Sequence, residues 1–277
     1  MLSYRHAYHA GNHADVLKHM VLIEILMYLN KKAKPYFYID THAGAGMYDL
    51  TSAASHKILE FRDGIERVLI QDFPELETYL SVIKRFNDGG LACYPGSPLI
   101  AQHVLREQDR ARVHELHPTD FLKLNHVMKN DVRFQVLNID GYQGLLKALP
   151  PVSRRGMVLI DPSYEIKTEY QTMIDAVVKA HKKFATGVYA IWYPVVERAR
   201  INEIDQQWVS SGIKNIQRFE LSVTADSELY GMTGSGMWII NPPWSLKDKM
   251  EQILPQLKRV LAQDESAFTR CDILVGE

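Results

Sequence analysis

Met157-Val158-Leu159-Ile160-Asp161-Pro162-Ser163-Tyr164 is an apolar run that breaks abruptly into Asp-Pro. The run is long enough for one buried strand. A residue before proline is pushed to extended backbone, so the strand must turn rather than continue as helix. The polar cluster therefore lies at the carboxyl end of a strand, the edge at which open α/β sheets bind ligands. A carboxylate, a carbonyl fixed by proline and an aromatic ring at that edge suit a flat base with an exocyclic amine. Asp161 and the Pro162 carbonyl would accept the two amine hydrogens while the Tyr164 ring stacks on the base. Taken alone, Asp-Pro-x-Tyr is more often a plain turn with a tyrosine packed behind it, and the rest of the chain has to decide.

The chain has 277 residues, 46% hydrophobic and 23% charged, which suits one main α/β domain with an insertion. A formal net charge of -1 denies it general affinity for polyanions, so contact with nucleic acid must come from local patches. Cys93 and Cys271 lie far apart without metal-ligand spacing. Neither a disulfide framework nor a zinc site is expected, and a reducing cytoplasm is the natural compartment. The sequence shows no signal peptide and no apolar run of about 18 residues, so no membrane partner is expected.

Residues 1–14 read as an ordered arm rich in rings and side-chain donors, from Tyr4-Arg5-His6 to Asn12-His13. From Asp15, Val16, Met20, Ile23 and Met27 recur at helical spacing, with an end near Asn30. Lys18 and His19 would lie near the positive end of that helix, where an anionic group is welcome. The four histidines between His6 and His19 have one nearby carboxylate, Asp15, and form no standard ligand set, so no metal is expected.

Pro35–Ile39 predicts a first strand running into Asp40-Thr41-His42-Ala43-Gly44-Ala45-Gly46, where small residues let backbone approach a nucleotide-type cofactor. A doubly wound domain should then enter a long helix. Instead, 51–93 carries two amphipathic segments, one with Ile58, Phe61, Ile65, Val68 and Leu69, the other with Leu76, Leu80, Ile83 and Phe86. We read a helical insertion at 51–93 within a domain formed by 1–50 and 94–277. Ser97-Pro98 predicts an N-cap with proline in the first helical position, followed by a buried face of Leu99, Ile100, His103 and Val104. A second strand, Arg112–Leu116, places Glu115 to accept from ribose hydroxyls. From Gly46 to Glu115 is 69 residues, against about 20 in the usual nucleotide fold, and the insertion accounts for the difference. A third strand, Val132–Val136, leads to Asp140-Gly141, whose carboxylate could meet an adenine amine while the glycine admits the ring. Beyond Asp161 the pattern predicts a helix over 169–184, a strand over 188–193 ending at Pro194, a helix near 196–210 and a strand over 215–224. A flexible glycine segment over 231–236, a last strand over 237–240 and a final helix over 246–261 complete the chain. Strand and helix alternate throughout, the pattern of a doubly wound, mostly parallel α/β sheet.

A glycine loop after strand one, acids after strands two and three and Asp-Pro-x-Tyr after strand four follow the order of sites in Rossmann-like class I S-adenosylmethionine-dependent methyltransferases acting on amino groups of bases. The opening Tyr-Arg-His-Ala-Tyr-His-Ala-Gly-Asn-His-Ala-Asp-Val-Leu-Lys-His, with Asp-Thr-His-Ala-Gly-Ala-Gly and Ile-Asp-Pro-Ser-Tyr-Glu, closely resembles the bacterial RlmJ type of 23S ribosomal RNA adenine-N(6)-methyltransferase over essentially the whole chain. The resemblance implies S-adenosyl-L-methionine as methyl donor and 23S ribosomal RNA as partner. It implies a cofactor site of Lys18, His19, His42, Gly44, Ser97, Glu115, Asp140, Gly141 and Asp161, with Asp161, Pro162 and Tyr164 at the chemistry. Tyr4, His6 and Tyr164 would touch the substrate in a cytoplasmic, monomeric enzyme. Ser163 departs from the usual Asp-Pro-Pro-Tyr and puts the rigidity of the loop that aims Tyr164 in question. A DNA adenine methyltransferase would share the site, and related chains have been connected with use of external DNA. A nicotinamide-dependent enzyme would share the glycine loop and Glu115 but gives no reason for Asp-Pro-x-Tyr. An RNA-binding module would need only the arm.

Overall fold

The first helix starts earlier than its apolar spacing predicts. In the computed structural model, which describes residues 6–227 and 231–277, a 3-10 turn over His6–Tyr8 leads to Asn12, which caps α1 (His13–Asn30). The Asn12 side-chain oxygen accepts from the backbone N–H groups of Ala14 and Asp15, both at 3.0 Å, donors that a helix start leaves without partners. Val16, Met20 and Ile23 are buried, but so are the residues between them, because α1 lies against the sheet on one side and α5, α10 and α4 on others. Met27, expected in the core, is 41% exposed where the helix leaves that cover.

After β1 (Phe37–Asp40) the chain makes β2 (Met47–Asp49), which pairs antiparallel with β3 (Cys93–Pro95) and closes the neck of the 51–93 segment. Between them lie α2 (Ala53–Ile58), α3 (Ile65–Leu69) and α4 (Glu77–Arg85), linked by 3-10 turns. The first expected amphipathic segment is split because Leu59 takes the left-handed conformation, φ 63°, and ends α2. Ile58 is consequently exposed, while Phe61, Ile65, Val68, Leu76, Leu80 and Ile83 join the same core cluster as α1 and α10.

The cap of α5 (Ser97–Val104) is Gly96 rather than Ser97, and His103, expected in the buried face, is exposed. The remaining elements are β4 (Arg110–His114), α6 (Pro118–Met128), β5 (Phe134–Leu137), α7 (Gly141–Ala148), β6 (Gly156–Ile160), α8 (Glu169–Lys183), β7 (Val188–Val195), α9 (Arg198–Ser210), β8 (Ile216–Ser222), β9 (Gly234–Ile240), α10 (Leu246–Leu261) and β10 (Phe268–Val275). Val132, expected at the start of the third strand, is outside β5 and exposed. An eight-stranded sheet has the order β10-β8-β9-β7-β6-β1-β4-β5. The five strands from β7 to β5 run parallel, and β9, β8 and β10 are added antiparallel. Helices cover both faces. Met157 and Leu159 point into one core, Val158 and Ile160 into the other, which is why β6 reads as an unbroken apolar run.

The antiparallel half departs from expectation. Pro194 does not stop β7, which continues to Val195 with Pro194 opposite Ser235. Gly234-Ser235-Gly236, expected as a flexible segment, is buried strand. The glycines answer a steric need there: a Cβ at Gly236 would sit 2.2 Å from the Tyr193 ring, and one at Gly234 2.6 Å from the Ser222 Cα. β9 is not the last strand either. β10 pairs along β8 as a half-buried edge, and its Asp272 and Arg270 form ion pairs with Arg218 and Glu220 of β8.

Gly236→Ala is expected to destabilise the fold by about 1–3 kcal/mol, the usual cost of overfilling a packed interior. Urea unfolding checks this, and a midpoint equal to that of the parent would show that the Tyr193 ring yields freely.

Candidate functional site

The order of the parallel strands places a topological switch at β1, whose neighbours β4 and β6 lead the chain in opposite directions. Ligands of open α/β sheets bind outside the carboxyl ends of strands at that point. A cavity of about 600 Å³ opens there. It is lined by Thr41, His42 and Gly44 after β1, Glu115 after β4, Asp140 and Gly141 after β5, Asp161, Pro162 and Tyr164 after β6, and Trp192 and Pro194 of β7. His6, Lys18 and His19 reach it from the arm and α1, and Ser97 from α5. The structure thus brings together every residue singled out by the sequence except Tyr4, which lies outside the described residues.

Their partners were not foreseen. The buried Lys18 ammonium lies 2.8 Å from Asp15 Oδ1 and donates to Asp161 Oδ2 at 2.5 Å. The anions that meet this end of α1 are therefore the chain's own carboxylates. Burial works against the Lys18 charge, yet Asp15 and Asp161 outweigh it and raise its pKa. Burial alone would raise Asp15, but His6 and Lys18 hold it well below the usual carboxylate range. Asp15 Oδ2 also lies 2.9 Å from His6 Nε2 and accepts from the Gly11 N–H. His19 stacks on Tyr94 and shares a 2.7 Å hydrogen bond with its hydroxyl, and burial pushes His19 down to about 3. His42 shares a 2.8 Å bond with Thr41 Oγ1 and meets the edge of Tyr142; burial lowers it to about 4 against the pull of Asp161 and Asp140.

Ser97 serves Asp40, which the sequence reading gave no role. Its Oγ donates to Asp40 Oδ2 at 2.7 Å, beside the Tyr38 hydroxyl, and burial raises this carboxyl to about 6 against those bonds. Glu115 accepts from the Gly44 and His117 N–H groups at 2.8 and 2.7 Å, and burial raises its pKa. Each of its oxygens keeps a lone pair for a ligand hydroxyl. Asp140 caps α7 by accepting from the Gln143 N–H. Two glycines are fixed by the protein itself rather than by a ring to be admitted. A Cβ at Gly141 would sit 1.9 Å from the Thr41 carbonyl oxygen, and one at Gly44, whose φ is 63°, 2.0 Å from the Tyr48 hydroxyl.

Tyr164 has φ 52°, stacks on Tyr170 at 4.2 Å and donates its hydroxyl to the Trp192 carbonyl at 2.7 Å. The hydroxyl, which the base-stacking reading left idle, aims the ring. In the sequence reading Tyr142 had no role and Trp192 figured only within the strand over 188–193. Both line the cavity, and the Tyr142 hydroxyl and Trp192 indole N–H are buried with no hydrogen-bond partner among the described residues. Buried polar atoms are rarely left so. A row of carboxylates and the cavity's size fit a cationic nucleoside with a base beside it. Among the described residues no group of three or more His, Cys, Asp or Glu is placed to hold a metal ion, and no helix is long and apolar enough to cross a membrane.

Residues 33–273 match the family model described as ribosomal RNA large subunit methyltransferase D, RlmJ. The chain is 51% identical to ribosomal RNA large subunit methyltransferase J of Escherichia coli (strain K12) over the full length of both. It is 48% identical to the protein of the same name from Haemophilus influenzae, over 95% of each chain. A crystal structure of a protein from Legionella pneumophila str. Philadelphia 1 superposes with a TM-score of 0.89 at 38% identity, covering 96% of this chain and 98% of that one.

The shifts at the histidines predict a pH response. His19 and His42, with depressed folded values, remain neutral in the fold until pH falls to about 3 and about 4. The unfolded chain binds those protons near 6.5, so the stability contributed by the neutral rings is full above about pH 6.5 and is lost as pH falls towards 4. His9, raised chiefly by its hydrogen bond to Glu60, titrates above its ordinary value. NMR titration of the ring protons checks this: His19 and His42 should stay still between about pH 8 and 5, and a midpoint near 6.5 for either would contradict the burial that defines the site.

Proposed function

Because the chain belongs to the RlmJ family of ribosomal RNA large subunit methyltransferases, we propose that its sheet-edge cavity receives an adenine of 23S ribosomal RNA against Asp161, Pro162 and Tyr164. The activity is transfer of a methyl group from S-adenosylmethionine to the exocyclic N6 amine of that adenine. The observation that carries the residue assignment is Asp161 at the end of β6, pinned by the buried Lys18 ammonium inside the cavity.

S-adenosylmethionine, when bound, supplies a methyl group on a positively charged sulfur. His42, Ser97, Glu115, Asp140 and Gly141, with Lys18, His19 and Gly44, form its proposed site. Asp15 and Asp161 share the Lys18 ammonium at the inner wall, and Asp15 also meets His6. An adenine amine is a poor nucleophile because its lone pair is delocalised into the ring. Asp161 and the Pro162 carbonyl accept its two hydrogens, favour a pyramidal nitrogen and balance the charge that develops on it. Lys18 engages Asp161 through Oδ2, and a carboxylate has capacity for further donors. The proton leaves to Asp161 or solvent after transfer. Tyr164 presents its ring to the base, and the base must be unpaired or extruded to reach it. His6, held on Asp15, and Tyr4 belong to the substrate side of this reading. Action in the cytoplasm as a monomer goes with this reading.

Purified protein, labelled S-adenosylmethionine and separate RNA and DNA acceptors of the same sequence test the reading. Label is expected in RNA adenine, and equal labelling of DNA would move the substrate class. Asp161→Ala is expected to lower turnover at least ~100-fold, as loss of a transition-state hydrogen-bonding group does, with a smaller loss of cofactor affinity; undiminished turnover would remove Asp161 from the chemistry. Tyr164→Phe keeps the ring but loses the tie to Trp192, so its rate should fall between those of the parent and Tyr164→Ala.

A further inference from the structure

The 51–93 segment grips the N-terminal arm almost residue by residue. Ser55 Oγ lies 3.1 Å from the Ala7 carbonyl, sharing its one hydrogen with the Asp49 carbonyl at 2.9 Å, and the Lys57 ammonium lies 5.9 Å from the centre of the Tyr8 ring. The Ile65 N–H donates to the Gly11 carbonyl at 2.8 Å. Backbones approach so closely there that a Cβ at Gly64 would sit 2.1 Å from the Gly11 oxygen. At the middle of this contact Glu60 holds two arm residues at once: Oε1 lies 2.9 Å from His9 Nδ1, and Oε2 accepts from Asn12 Nδ2 at 2.8 Å. Burial would raise the Glu60 carboxyl, but His9 and Asn12 outweigh it and lower its pKa, while His9 is raised. Both changes mean that the charged pair is the favoured one.

We infer that Glu60 is a positioning residue for the RNA substrate, and that the helical insertion acts as a clasp that sets the arm over the cavity. Glu60 touches no reacting atom in this scheme. It acts through the arm's own backbone ladder, in which the Asn12 N–H donates to the His9 carbonyl and the His9 N–H to the His6 carbonyl. Fixing His9 and Asn12 therefore fixes the turn that delivers His6 to Asp15 at the cavity wall. His6, His9, Asn12 and Glu60 all line the cavity, so the clasp borders the site. The cofactor residues of α1 have holds of their own, because the Asn12 side-chain oxygen caps the helix and Lys18 is tied to both Asp15 and Asp161. The inference rests on the RNA methyltransferase reading for the identity of the substrate, but not for the existence of the clasp.

Two measurements on Glu60→Ala and Glu60→Gln test it: steady-state kinetics with RNA varied, and hydrogen exchange of the arm amides over 7–12. In the Ala variant kcat/KM for RNA should fall about tenfold or more through KM, the scale of a lost charge-assisted bond or two. Affinity for S-adenosylmethionine should stay within about twofold, as for groups that share no partner. Exchange should quicken over 7–12 and not in α10. Glu60→Gln keeps an oxygen for Asn12 and an amide that can donate to neutral His9, and should recover most of the loss. An unchanged KM or unchanged arm protection in Glu60→Ala overturns the inference. So does a loss of cofactor affinity or melting temperature that matches the loss of activity, since a merely structural role would give that. If the parent protein transfers no methyl to RNA, the functional reading fails and the exchange data alone decide the clasp.

Discussion

A lysine ammonium buried between two carboxylates governs where everything else at the site can lie. Taking Lys18, Asp15 and Asp161 out of water costs several kcal/mol per ion, and only close geometry offsets it. Lys18 and Asp15 belong to α1 and Asp161 to the end of β6. The pairs therefore fix the rotation and depth of a helix that could otherwise turn about its axis, since α1 is apolar on nearly every side and has no stripe of its own to orient it. Once α1 is set, His19 meets Tyr94 and Asp15 meets His6 and the Gly11 N–H, so the inner wall inherits its position from one ion pair network and the arm is tied to that wall at His6 and Gly11.

The parallel half of the sheet is legible in the sequence because its strands are buried on both faces. Val158 and Ile160 on one side and Met157 and Leu159 on the other give β6 a continuous apolar run that ends where the sheet edge begins. The antiparallel half obeys other constraints. Gly234 and Gly236 look like a flexible linker but are strand residues whose missing side chains leave room for Ser222 and the Tyr193 ring. β10 looks polar because Arg270 and Asp272 are paired with charges on β8. A local pattern cannot carry either fact, since both depend on what a neighbouring strand presents.

The same division holds at the site. Residue types at strand ends were readable because they recur strand after strand in the order of a known set of sites, although Asp140, Gly44 and Gly141 each proved to have a structural use as well. Partners were not. His19 and Tyr94 are separated by 75 positions, Ser97 and Asp40 by 57, and no spacing rule links them. Tyr142 and Trp192 were invisible for a different reason: an aromatic ring in a helix or strand is packing material until its polar atom is found without a partner. Of the missed residues, Asp15 had a signal, as the one carboxylate among four histidines, though that signal first raised the question of a metal.

Ser163 is where the chain departs from the motif it resembles, and the structure replaces what a second proline would give. Proline would stiffen the loop through its ring, limiting the backbone ahead of Tyr164. Here the Glu169 carboxyl, at the start of α8, lies beside Ser163 and the Tyr164 backbone, and both hold its pKa down against burial. The tyrosine ring is then held at its far end by the Trp192 carbonyl and on its face by Tyr170. A bulky residue at φ 52° is uncommon and persists only where its surroundings over-determine it. The hydroxyl's bond to Trp192 and the ring's stack on Tyr170 supply that over-determination. Rigidity that proline would build into the covalent chain is built here from contacts with α8 and β7, so the aim of Tyr164 depends on the packing of those two elements rather than on residue 163 alone.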